Sequence, residues 1–282
     1  MSFTTIITVS ELAKHIGDPD WVIVDCRFKL ASPDHGKIDY KAAHIPGAVY
    51  AHLEDDLSGH IIKGVTGRHP LPSVDKISRV FSRFGIDSSV QVVAYDDMGG
   101  ALAAVRVWWF LHWLGYGSVA VLDGGWQEWV KKSFPVRNGN EKRAERSFIP
   151  HPRNDLIVTA EEVDAMRQDS VYRVLDARSA DRFRGENETI DPVAGHIPGA
   201  ISAPYAGNLN PDGTFRSKKI LAARYAKILA GVPIDRVVCY CGSGITAVHD
   251  ILAMRLAGLG EARLYAGSYS EWITDPKRPV EN

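Results

Sequence analysis

The chain has 282 residues, 45% of them hydrophobic, enough for two cored domains on a scale of about 150 residues per domain. A net charge of -1 and a pI near 6.8 supply no basic field, so neither nucleic acid nor a membrane surface is expected as a partner. Three cysteines are too few for a disulfide framework, "MSFTTIITVSELAKHIGDPD" at the start lacks an apolar leader core, and no apolar run reaches membrane-spanning length. A cytoplasmic protein in a reducing compartment is expected.

In chain order, short β-branched runs at residues 22–24, 92–94 and 119–122 read as strands and alternate with helical patterns. Around them lie "WVIVDCR" from Trp21, "AHIPGA" from Ala43, "TGRHPLPS" from Thr66 and "LDGGWQEW" ending at Trp129. The polar stretch "RNGNEKRAERSFIPHPRND" then lacks apolar periodicity, which is linker composition. Strand-like runs resume at 171–175, 237–239 and 263–265. This alternation is α/β order, and it predicts a mostly parallel sheet with its site at the strand carboxyl ends.

The second half repeats the first. "YRVLDAR" from Tyr172 echoes "WVIVDCR", "GHIPGA" from Gly195 echoes "AHIPGA", "RVVCYCGSGI" from Arg236 echoes "QVVAYDDMGG" from Gln91, and "YAGSYSEW" ending at Trp272 echoes "LDGGWQEW". Spacings of about 150 residues in each case mean one plan used twice. The expected division is a domain over residues 1–137, a linker over 138–154 and a second domain over 155–282. His44 and His196 recur in both halves and are read as organisers of the fold.

The halves part company at one position, where Asp96 stands opposite Cys241. Cys241 sits on the Gly-rich turn between an apolar strand and a segment whose Ile245, Val248, Ile251, Leu252, Leu256 and Leu259 have helical spacing. Gly242 and Gly244 permit positive φ, so loop N–H groups can turn inward, and the helix adds its positive dipole end. Both favour negative charge on sulfur, and Cys241 is expected to be an exposed nucleophile. Cys239, flanked by valines, reads as core.

Three rival readings fare worse. Gly242, Gly244 and Ala247 spell a dinucleotide fingerprint, but too little chain follows for the rest of that fold. A cysteine phosphatase would place a phosphate-clamping arginine where Ala247 stands. A buried structural thiol does not call for a Gly-rich turn.

The paired "HIPGA" blocks, "LDAR", the tandem halves and "CGSGIT" resemble the two-domain rhodanese-type sulfurtransferases, in particular the 3-mercaptopyruvate branch. The resemblance spans nearly the whole chain. It implies tandem rhodanese-like domains, the first inactive and the second catalytic, with Cys241 carrying sulfur as a persulfide cradled by Gly242, Ser243, Gly244, Ile245 and Thr246. Arg182 in "DARSADRFRG" matches the arginine that binds the donor's anionic group, although Arg178 and Arg184 lie close by. Arg68 and His69 in "TGRHPLPS" match a loop reaching the site, with His69 and Ser243 supplying the proton that the leaving enolate needs. A second donor-binding arginine further along is absent from "ENETID", whereas the neutral Gly242 and Ser243 disfavour thiosulfate.

The resemblance implies a small-molecule sulfur donor and a thiol, thioredoxin or cyanide as acceptor, with no cofactor. The cysteines lack structural zinc spacing. A rhodanese-like module that binds sulfur species or scaffolds a partner without turnover is the alternative from another class.

Overall fold

A computed structural model describes residues 2–282. The chain divides into two compact units. Among the described residues, unit 1 comprises 2–59, Pro72–Arg153 and Pro211–Phe215, and unit 2 comprises His60–Leu71, Asn154–Asn210 and Arg216–Asn282. Residues 138–153 of the predicted linker therefore group with unit 1, and Asn154 with unit 2. Two short segments also pack with the unit of the opposite half, which sequence periodicity could not reveal because neither belongs to a helix or strand of the repeat.

Unit 1 runs β1 (Ile6–Ile7), α1 (Val9–Leu12), β2 (Trp21–Asp25), α2 (His35–Ala42), β3 (Val49–Tyr50), α3 (Val74–Arg83), β4 (Gln91–Tyr95), α4 (Ala103–Trp113), β5 (Val119–Leu122) and α5 (Gly125–Lys131). Its five strands are all parallel, in the order β1-β5-β4-β2-β3. β4 is buried at every residue, and after the polar Gln91 its residues 92–95 are apolar on both faces rather than alternating. α4 is likewise apolar nearly all round, with Trp108, Trp109 and Phe110 packed in the interior.

Unit 2 repeats the plan with α6 (Ala160–Met166), β6 (Arg173–Asp176), α7 (Ala180–Phe183), β7 (Ile201–Ser202), α8 (Lys218–Leu229), β8 (Val237–Tyr240), α9 (Thr246–Leu256), β9 (Arg263–Leu264) and α10 (Ser268–Trp272). Its four strands are parallel in the order β7-β6-β8-β9. A single parallel bridge, Ile157 to Leu264, stands where unit 1 has β1. α6 opens on a capping box in which Thr159 and Glu162 satisfy each other's backbone N–H, worth about 1 kcal/mol. The strand predicted over 171–175 begins later, at Arg173, because Asp169 binds the Val171 N–H in a turn.

Buried polar pairs repeat with the strands. Asp25 grips Arg27, whose Nη2 donates to Ala43 O at 2.6 Å, and Asp176 grips Arg178, whose Nη2 donates to Gly195 O at 2.8 Å. Each arginine lies over an aromatic ring, Trp126 at 4.3 Å and Tyr269 at 4.1 Å. His44 Nδ1 meets Tyr40 O at 2.7 Å and His196 Nδ1 meets Phe183 O at 2.8 Å, so both histidines tie a loop to the helix before it. These duplicated bonds fix the turns that carry each sheet's carboxyl edge.

Candidate active site

Cys241 follows β8 directly and α9 starts at Thr246, so the thiol occupies the turn from strand to helix. The expectation of an exposed thiol fails: Cys241 is 2% exposed. The turn folds over it, and the Ile245 N–H donates to Cys241 Sγ at 3.2 Å. Gly244 takes φ +73°, and a Cβ there would lie 2.2 Å from Ala266 O. Gly242 does not take the positive φ that the sequence allows. Its missing side chain serves space instead, since a Cβ would lie 2.8 Å from Arg68 Nη2. Cys239 is fully buried in β8.

The segment after β9 holds the turn from below. The Cys241 N–H donates to Ser268 Oγ at 3.1 Å, and that hydroxyl donates to Tyr265 O at 2.9 Å. Tyr269 N–H reaches Cys241 O and Ser270 N–H reaches Gly242 O, both at 2.9 Å. Ser268 has φ +56°, a left-handed backbone rare outside glycine, and Gly125 at the matching place in unit 1 has the same φ. The hydroxyl is the reason a non-glycine residue occupies that backbone. Sequence reasoning missed Ser268 and Ser270, and the only signal was "GS" standing where the first repeat has "GG".

Residues 60–71, part of unit 2, bring the remaining groups. Gly67 packs so that a Cβ would lie 2.6 Å from Gly267 O, and the Arg68 N–H donates to Ser270 Oγ at 3.1 Å. The next residue, His69, is buried with Nδ1 2.8 Å from Ser243 Oγ. Arg182 on α7 has Nη1 and Nη2 at 3.8 and 3.7 Å from the Cβ position of Gly242. Arg68 and Arg182 thus converge beside Cys241, whereas Arg184 turns outward to an exposed pair with Glu186.

Two carboxylates unforeseen in the sequence organise these cations. Glu188 accepts from Arg182 Nε at 2.9 Å and Nη2 at 3.0 Å. Burial opposes ionisation of Glu188, but the Arg182 side chain and the N–H groups of Asp191 and Ile190 outweigh it and hold the carboxyl below the ordinary carboxylate range. Asp191 accepts from Arg182 Nη2 at 3.0 Å through one oxygen and from Arg68 Nη1 through the other.

The matching turn in unit 1 is built differently. Asp96 is buried and accepts backbone N–H groups from Met98, Gly100, Leu102 and Ala104 at 2.8 to 3.3 Å. Burial outweighs these donors and pushes its carboxyl up to about 6. A carboxylate fills this cup of amides, so unit 1 presents no nucleophile there.

This paired architecture is that of the rhodanese-like domain family, whose model matches residues 8–132 and 159–275. The chain belongs to that family, as a tandem of two such domains. It is 46% identical over 281 residues to a protein of Pseudomonas aeruginosa named as a probable 3-mercaptopyruvate sulfurtransferase, with 99% of each chain covered. It is 30% identical over 286 residues to the 3-mercaptopyruvate sulfurtransferase of Escherichia coli, covering 100% of this chain and 99% of that one. Among solved structures, the 3-mercaptopyruvate sulfurtransferase from Leishmania major superposes with a TM-score of 0.84 at 30% identity, covering 95% of this chain and 74% of that one. The chain is a rhodanese-type sulfurtransferase. Among the described residues no helix is long and apolar enough to cross a membrane.

Proposed function

We propose that the protein transfers a sulfane sulfur from 3-mercaptopyruvate to a thiol, thioredoxin-like or cyanide acceptor through a persulfide on Cys241. The observation that carries this reading is the convergence on one turn of a sulfur at the amino end of α9, the His69–Ser243 pair and two guanidiniums. The Cys241 thiolate attacks the donor sulfur and the carbon–sulfur bond breaks. The electron pair leaves as the enolate of pyruvate, which takes its proton from Ser243 relayed by His69, while the outer sulfur keeps the donor's own proton. The Ile245 N–H, already 3.2 Å from Sγ, and the rest of the turn from Gly242 to Thr246 cradle the persulfide. Arg182 and Arg68 bind the donor carboxylate, and the acceptor then attacks the outer sulfur and restores Cys241. Three unpaired thiols fit a reducing, cytoplasmic setting.

Thiosulfate is the second reading, favoured by the proximity of two guanidiniums to Gly242. A relative from Arabidopsis thaliana, 29% identical over 310 residues and matching 98% of this chain and 86% of its own, is named for both donors. Mass spectrometry after exposure to each donor, then to cyanide, tests the scheme. Cys241 gains one sulfur and loses it, Cys241→Ser gains none and keeps less than about a tenth of turnover, and kcat/KM is higher for 3-mercaptopyruvate. Turnover in the Cys241→Ser variant overturns the persulfide, and a higher kcat/KM for thiosulfate overturns the donor assignment.

A further inference from the structure

The carboxylate between the two guanidiniums is itself buried, its side chain only 1% exposed, while Arg182 and Arg68 reach solvent at 17% and 27%. A buried carboxylate is costly unless both oxygens are engaged, and here each takes a different arginine. We infer that Asp191 is a positioning residue that sets the donor class: it braces Arg68 against Arg182 at the Gly242 face and cancels part of their charge. This rests on the donor-binding role proposed above for the two arginines.

The geometry supports it by counting donors. Arg182 spends Nε–H on Glu188 and its Nη2 hydrogens on Glu188 and Asp191, which leaves the Nη1 hydrogens. Arg68 spends Nη1 on Asp191, and its Nη2 approaches closest to Gly242. The free donors therefore come one arginine from each side, and Asp191 is the tie that registers them. Arg68 arrives on residues 60–71 and is otherwise held there through its backbone, by its N–H on Ser270 Oγ, so the tie decides where its guanidinium rests.

The charge balance points the same way. Arg178, which also reaches Glu188 at 3.4 Å, is matched by Asp176, so three guanidiniums face the three carboxylates Asp176, Glu188 and Asp191, and the anion subsite carries no net charge before the donor arrives. A donor with one carboxylate can be held by directed N–H bonds in such a place, whereas a dianion needs uncompensated charge as well. The result is a subsite tuned to a singly charged carboxylate donor.

Asp191→Asn keeps the shape and removes one negative charge. The expected result is a KM for 3-mercaptopyruvate raised about tenfold. The kcat/KM ratio of 3-mercaptopyruvate to thiosulfate should also fall by about tenfold or more. Asp191→Glu should hold that ratio within about threefold of the parent by keeping the charge. Iodoacetamide, uncharged and indifferent to the arginines, should alkylate Cys241 in Asp191→Asn within about twofold of the parental rate, which excludes a collapsed turn. An unchanged donor ratio, or a lower KM for both donors, overturns the inference, the latter because Asp191 would then only compete with the donor. If the parent itself forms no persulfide with either donor, the proposed function fails instead.

Discussion

Cys241 and Ser268 show how a single residue can be both costly and necessary. Ser268 holds a left-handed φ of +56°, which disfavours any side chain by roughly 1 to 2 kcal/mol, and recovers it by accepting the buried Cys241 N–H. Ser268→Ala keeps the strain and orphans that N–H, so unfolding free energy should fall by about 2 kcal/mol. Ser268→Gly orphans it too but relaxes the backbone, and should lose less. Denaturant titration should rank parent, Ser268→Gly and Ser268→Ala in that order, and equal stability of the parent and Ser268→Ala contradicts the account. The identity of the sulfur-bearing turn was legible because Cys241 has no counterpart in the first repeat. The groups that hold the turn were not, since Ser268, Glu188 and Asp191 act through contacts set by tertiary folding rather than through any sequence period.

Among elements, α9 departs furthest from its sequence pattern. Its apolar spacing predicts one buried face, yet His249 and Asp250 are buried as well, because α9 packs against β8, β9 and α8. Asp250 Oδ1 accepts from Asn208 Nδ2 at 2.7 Å and Tyr225 Oη at 3.0 Å, and its Oδ2 has no hydrogen-bond partner among the described residues. Burial pushes this carboxyl up to about 7 from an ordinary 3.8. A raised acid pKa means the folded protein holds a proton that the unfolded chain has released. The resulting stability is full below pH about 4 and is lost as pH rises through about 7. Asp250→Asn accepts the same two bonds without titrating. It should match the parent below pH about 4, draw ahead as pH rises from there to about 7 and exceed it at pH 8 by a few kcal/mol, measured by urea unfolding at each pH. A parallel pH dependence in both proteins refutes the assignment.

For the molecule as a whole, duplication was the most legible feature, since the repeated blocks keep their order and each sheet is parallel. What the repeats could not show is that residues 60–71 complete unit 2 while 211–215 join unit 1, because these segments differ between the halves. A chain of residues 154–282 alone would lack Arg68 and His69, leaving Ser243 without its histidine and Asp191 with one arginine. Its kcat/KM should fall to on the order of a hundredth of the parent's. Supplying a 60–71 peptide should restore part of it, and full activity without the peptide contradicts the arrangement. The Asp96 cup has a consequence for how such a duplicate ages. From Asp96 the chain runs to Ala103 before its helix begins, whereas Cys241 is followed by helix at Thr246. The added length lets four amides wrap a carboxylate, so the two turns differ in backbone as much as in one side chain. Asp96→Cys would set one sulfur among four amides that are divided between two carboxylate oxygens, two to each. A codon change can supply a thiol at position 96, but not the shorter path from thiol to helix that Cys241 has, so no single substitution makes the two turns alike.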